Sequence, residues 1–196
     1  MGLLTDLYAD HCLLNRHRSN AIKRVGVSLL NRGFQALLVY RVAHALRRVG
    51  VPGVPDLLTR MVQMTLGIDI DPSAALGPGV VVVHGVGLVI GSAVRIEGDC
   101  VLFHGVTLGD RGSEWVGDNI PDGHPRVERD CMIGTGAKLL GPITIGANSV
   151  VGANAVVTRD VEPNSVMAGV PARRISERPV MDKNLRPIGG HRRAAR

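Results

Sequence analysis

The chain has 196 residues, 45% of them hydrophobic but only 3% aromatic, which suits one domain with a small annex and excludes a core built on aromatic bulk. Its net charge of +6 favours anionic small ligands such as phosphates, and so few rings leave little with which to stack nucleic-acid bases. Three widely spaced cysteines (Cys12, Cys100 and Cys131), with no CxxC pair, exclude a disulfide framework and point to reduced thiols in a cytoplasmic protein.

The first third reads as helical. Residues 6–14 form a short, irregular helical segment, and Asp6 and Asp10 stand where a secretory leader would place its apolar run. Phe34, Leu38, Val42, Ala45, Leu46 and Val49 recur at helical spacing until Gly50 and Pro52 stop them. Leu57, Leu58, Met61, Val62 and Leu66 do the same after Pro55 and end at Gly67. Residues 1–66 are therefore expected to form a helical segment whose apolar stripes are packing surfaces.

After Gly67 the period changes to six. Ile70, Leu76 and Val82, then Ile90, Ile96, Leu102 and Leu108, then Val127, Ile133, Leu139, Ile145, Val151 and Val157 form three phased aliphatic runs. Each hexad is one short strand and a turn with its aliphatic side chain inward, and stacked coils cover the faces that one hexad leaves open. A narrow prism holds Val, Ile and Leu and little else, which accounts for the shortage of aromatic residues. The pattern resembles the left-handed parallel β-helix, with about 18 residues to a coil. The expected chain is α+β: a helical segment over 1–66, a β-helix with one protruding loop over 67–175, and a basic tail over 176–196. The longest apolar run, residues 81–91 (VVVHGVGLVIG), is too short and too interrupted to span a bilayer, so no membrane partner is expected.

Two interruptions break the repeat. Val82 to Ile90 is eight residues, so two extra residues enter at 84–87. Leu108 to Val127 is 19, and the intervening DRGSEWVGDNIPDGHP carries no hexad pattern, so it leaves the prism as a loop. Functional residues collect at such departures from a rigid scaffold. His84 lies two residues after the inward Val82, and His104 two after the inward Leu102, positions one coil plus the insertion apart. His124 ends the loop. The phase thus predicts that His84, His104 and His124 converge where the loop departs and form a site there, a convergence that could also supply three zinc ligands.

Residues 67–72 (GIDIDP), His84-Gly85 followed by Val89-Ile90-Gly91, 105–109 (GVTLG), His124-Pro125, 133–138 (IGTGAK), 140–145 (LGPITI) and 168–173 (AGVPAR) resemble, in this order, the serine acetyltransferase family. The helical LLNRGFQALLVYRVAHAL resembles the front of its short members. The resemblance implies an acetyl-CoA-dependent O-acetyltransferase, assembled as a homotrimer or a dimer of trimers. It implies His84 as the general base that takes the acceptor's hydroxyl proton, Asp69 as the carboxylate that orients it, and His124 as a second active-site histidine. It also implies the Thr135 backbone N–H as a donor to the thioester carbonyl. Acetyl-CoA would lie along Gly109, Gly134, Thr135, Ala137, Ala153, Ala168, Gly169 and Arg173, with Arg173 near the phosphates. No metal is required, because CoA is already a good leaving group.

The sequence departs from the family at the acceptor. Val83 replaces an Asp, Gly123 an Arg, Ser92 a Glu, His104 a Gln and Asp110 a Gly. The expected acceptor is serine, a related hydroxy-amino acid or another small alcohol, held by His104, Asp110, Asp122 and His124. A sugar or amine acceptor on the same fold, or a β-helical zinc carbonic anhydrase, are the alternatives. The chain ends in Arg196 rather than the isoleucine with which larger members dock cysteine synthase, so that partnership is not expected.

Overall fold

The computed structural model describes residues 2–16, 20–112 and 123–179. Four helices come first: α1 (Leu3–Leu14), α2 (Ala21–Leu30), α3 (Arg32–Arg48) and α4 (Val54–Leu66). The Asn31 side chain accepts the Phe34 N–H and caps α3, and Gly67 at φ +66 closes α4. Helix α2 is not among the expected elements. Its Val25, Leu29 and Leu30 are exposed. No described helix is long and apolar enough to cross a membrane.

Short strands follow: β1 (Ile68–Ile70), β2 (Ala75–Leu76), β3 (Val80–Val83), β4 (Leu88–Ile90), β5 (Arg95–Ile96), β6 (Cys100–Phe103), β7 (Thr107–Gly109) and β8 (Arg126–Val127). The series continues with β9 (Met132–Ile133), β10 (Lys138–Leu140), β11 (Thr144–Ile145), β12 (Val150–Val151), β13 (Val156–Val157), β14 (Ser165–Ala168) and β15 (Arg173–Glu177). They stack into three parallel faces of a prism. Face A is β1-β4-β7-β10-β13, face B is β2-β5-β8-β11, and face C is β3-β6-β9-β12-β14, with β15 folded back antiparallel on β14. This is the expected β-helix of hexapeptide coils.

Each hexad aliphatic named above is buried, with like rungs in direct register: Ile90 on Leu108, Ile96 on Val127, Leu102 on Ile133. Removing one such side chain from water contributes about 1.5–3 kcal/mol. The expected boundary of the β-helix is residue 175. Strand β15 runs to Glu177, and the Arg178 N–H donates to the Asn164 carbonyl at 2.8 Å. The rest of the basic tail, 180–196, lies outside the described residues.

The helices close the first coil. Gly33, in the first turn of α3, meets β3 so tightly that a Cβ there would stand 2.0 Å from the Val82 carbonyl oxygen. The buried Tyr40 hydroxyl donates to the Ala74 carbonyl at 2.6 Å and accepts the Leu76 N–H at 3.2 Å. Burial pushes its pKa up to about 12, so the phenol stays neutral. Arg41 spans both carboxylate oxygens of Asp10 at 3.1 Å and donates to the carbonyls of Leu76 and Gly77. Asp10 Oδ1 also accepts the Val80 N–H at 2.8 Å. One buried ion pair thus ties α1 and α3 to the first coil.

Candidate active site

The corner between faces C and A holds the first two histidines. Strands β3 and β6 pair up to Val83 opposite Phe103, so the next residues, His84 and His104, stand side by side. Their rings meet edge to face, 6.0 Å between centroids and 69° between planes. The same register sets His104 beside Thr135, with the Gly136 N–H donating to the His104 carbonyl at 2.9 Å. It then sets Thr135 beside Ala153 and Ala153 beside Gly169. One edge of the prism therefore carries His84, His104, Thr135, Ala153 and Gly169, one per coil, about 4.8 Å apart.

The two extra residues explain why an imidazole interrupts a run of valines. His84 is exposed, with φ +64, and the Gly85 N–H donates back to the Val83 carbonyl at 2.8 Å. That is a three-residue γ-turn of the strained, positive-φ kind. Gly85, itself at φ +73, tucks under it where a Cβ would lie 2.4 Å from Ile68 Cδ1. The insertion thus turns the imidazole outward. Beside this row, Gly87, Gly105 and Gly136 stack with φ of 75, 69 and 70°, forming a strip without side chains along which a slender extended ligand can lie.

The Thr135 N–H donates to no backbone carbonyl among the described residues, so it is free for a ligand. Gly134 is needed for coil spacing, since a Cβ there would stand 2.8 Å from the Val151 carbonyl oxygen. Ala168 ends β14 and the exposed Arg173 opens β15. Of the expected cofactor residues, Thr135, Ala153 and Gly169 lie in the row, Gly134, Ala168 and Arg173 lie outside it, and two more remain, Ala137 and Gly109. Ala137 is fully buried, and its N–H and carbonyl are both paired, to Gly134 and from Thr107, so it offers a ligand nothing. Gly109 closes β7 at the far end of face A.

Asp69 lies in the middle of β1, in register with Val89, Thr107 and Lys138 along face A. Its Oδ2 accepts from Gln63 Nε2 at 2.7 Å, and no hydrogen bond joins it to His84. The expected Asp–His hydrogen bond is therefore not made, and α4 supplies the carboxylate's partner. Gln63 and Lys138 escaped the sequence reading. Lys138 Nζ donates to the Gly105 carbonyl at 2.7 Å and to Thr107 Oγ1 at 2.9 Å, bracing the glycine strip. The usable signals were an amide one turn before the end of α4 and a lysine closing the GTGAK turn.

His124 stands at the other end of face A. A Cβ on Gly91, the residue after β4, would lie 2.8 Å from His124 Cδ2. The loop also leaves from that end, where Asp110 Oδ1 accepts the Gly112 N–H at 2.6 Å. So the three histidines do not converge within one chain: His84 and His104 share one edge of face A, and His124 and Asp110 the other. Phase counting placed the insertion and the loop in the right coils, but they flank the same strands from opposite sides. Among the described residues no three His, Cys, Asp or Glu side chains stand close enough to hold a metal ion. Asp122 and Trp115 lie outside the described residues.

The chain is similar in sequence and in fold to known proteins. The bacterial transferase hexapeptide (six repeats) family matches residues 124–159. A serine acetyltransferase of Synechococcus elongatus is 38% identical over 167 residues, covering 85% of this chain and 66% of the relative. One of Escherichia coli is 37% identical over 172 residues, covering 85% of this chain and 61% of the relative. The chain thus spans somewhat under two-thirds of these curated relatives. The crystal structure of a serine acetyltransferase from Brucella abortus in complex with coenzyme A superposes with a TM-score of 0.79 at 34% identity, over 88% of this chain and 67% of that one.

Proposed function

Because the chain belongs to the serine acetyltransferase family, we propose that it moves the acetyl group of acetyl-CoA to the hydroxyl of serine or a related hydroxy-amino acid. The carrying observation is the edge row: an exposed imidazole at one end, a free Thr135 N–H in the middle, and the AGVPAR segment at the other. His84 takes the hydroxyl proton as the oxygen attacks the thioester carbonyl, and returns it to the departing sulfur. The Thr135 N–H receives the carbonyl oxygen as charge builds on it. The glycine strip with Gly134, Ala153, Ala168 and Gly169 accommodates the pantetheine arm, and Arg173 meets the phosphates. Asp69, held by Gln63 and not hydrogen-bonded to His84, contributes only a through-space negative charge to the imidazolium.

Since His84 and His124 occupy opposite edges of one face, a site that uses both takes His84 from one copy and His124, with Asp110, from its neighbour. A homotrimer, alone or paired, supplies that closure. The free thiols Cys12, Cys100 and Cys131 fit a cytoplasmic setting.

Thiol release from acetyl-CoA, screened against serine, homoserine, other hydroxy-amino acids, sugars and amines, tests the reading. It predicts release that depends on a hydroxy-amino acid. Release with sugars or amines alone would replace the acceptor, and none with any acceptor would overturn the reaction.

A further inference from the structure

We propose that His104 is a catalytic residue whose ring N–H, together with the Thr135 backbone N–H, holds the acetyl carbonyl oxygen as it gains charge. This rests on the acetyl-transfer reading and adds a residue to its chemistry. Position is the first argument. In the edge row His104 stands between the base and Thr135, one coil from each, beside the thioester that the base must reach. An oxyanion is held best by two fixed donors that converge on it, and the backbone supplies only one here.

The ring itself supplies the second argument. His104 Nδ1 is buried and has no hydrogen-bond partner, whereas Nε2 is neither buried without a partner nor bonded to another described residue. A buried N–H without an acceptor is rarer than a bare acceptor, so the neutral tautomer that keeps its proton on Nε2 is favoured. The nitrogen open to a ligand is then a donor. A donor suits a carbonyl oxygen that turns negative, and it serves poorly as a second base.

In the reaction, the hydroxyl proton passes to His84 as the new C–O bond forms. The carbonyl electron pair moves onto oxygen, which accepts from His104 Nε2–H and the Thr135 N–H. The pair returns, the C–S bond breaks with its electrons on sulfur, and sulfur takes the proton from His84. His104 neither gains nor loses a proton.

The test compares wild type, His104→Leu and His104→Gln in the thiol-release assay, with CoA affinity by calorimetry and bound zinc by metal analysis. Glutamine keeps an N–H donor of similar reach and controls for packing. The proposal predicts that His104→Leu lowers kcat by about 10²–10³ while KM for acetyl-CoA and CoA affinity stay within about threefold, because the interaction exists only in the transition state. His104→Gln should recover at least about tenfold of that loss. A kcat for His104→Leu within about threefold of wild type, a glutamine variant as slow as leucine, or a loss confined to KM would overturn it. So would stoichiometric zinc lost with the ring. Wild-type protein that transfers no acetyl at all overturns the underlying reading instead, a separate readout.

Discussion

An L-residue at φ +64 is held there against a preference of about 1–2 kcal/mol, and His84 is the residue so placed at the head of the edge row. The hexad phase revealed that His84 and His104 are neighbours on one edge. It could not reveal the γ-turn, because a period reports inward or outward and is silent on the sign of φ. Nor could it reveal that Asp69 bonds Gln63, since that contact joins a helix to a strand with no shared repeat. Replacing His84 with glycine should separate strain from chemistry. His84→Gly is expected to lower kcat by about 10²–10⁴ while raising stability by about 1 kcal/mol in urea unfolding. A second prediction concerns Gly91, where a methyl would displace the His124 ring. Gly91→Ala should lower kcat/KM for the acceptor by about 10- to 100-fold, with the melting temperature nearly unchanged.

At the scale of elements, the aliphatic rungs were legible to the residue, because a prism this narrow admits one kind of side chain at one interval. Helices α3 and α4 were legible from their stripes and stops and α1 only as an irregular segment over 6–14, whereas α2 was not read separately although Val25 and Leu29 stand at helical spacing. The staple between helices and coil was invisible for another reason. Asp10 and Arg41 lie 31 residues apart, and nothing local marks either as buried. Their burial predicts a large response. Asp10→Ala leaves the Arg41 guanidinium, 4% exposed, with only the more distant Asp6 carboxylate at 3.7 Å, and should cost about 3 kcal/mol in denaturant unfolding. A cost under about 1 kcal/mol would mean that Asp6 and the backbone carbonyls of Leu76 and Gly77 hold the arginine without Asp10.

For the whole molecule, the phase located His84 and His124 at the two irregularities but not their separation, because one chain holds them on opposite edges of face A. On the proposed reading, in which one site uses both histidines, that separation would make assembly a condition of catalysis. The direct test mixes two inactive chains, His84→Ala and His124→Ala, after dissociation and reassembly. A site shared between neighbours pairs an intact His84 with an intact His124 in about a quarter of cases under random mixing, so the mixture should recover about a quarter of wild-type thiol release while each parent stays inactive. A mixture of demonstrably exchanged subunits that stays as inactive as its parents would contradict the shared site and the account built on it.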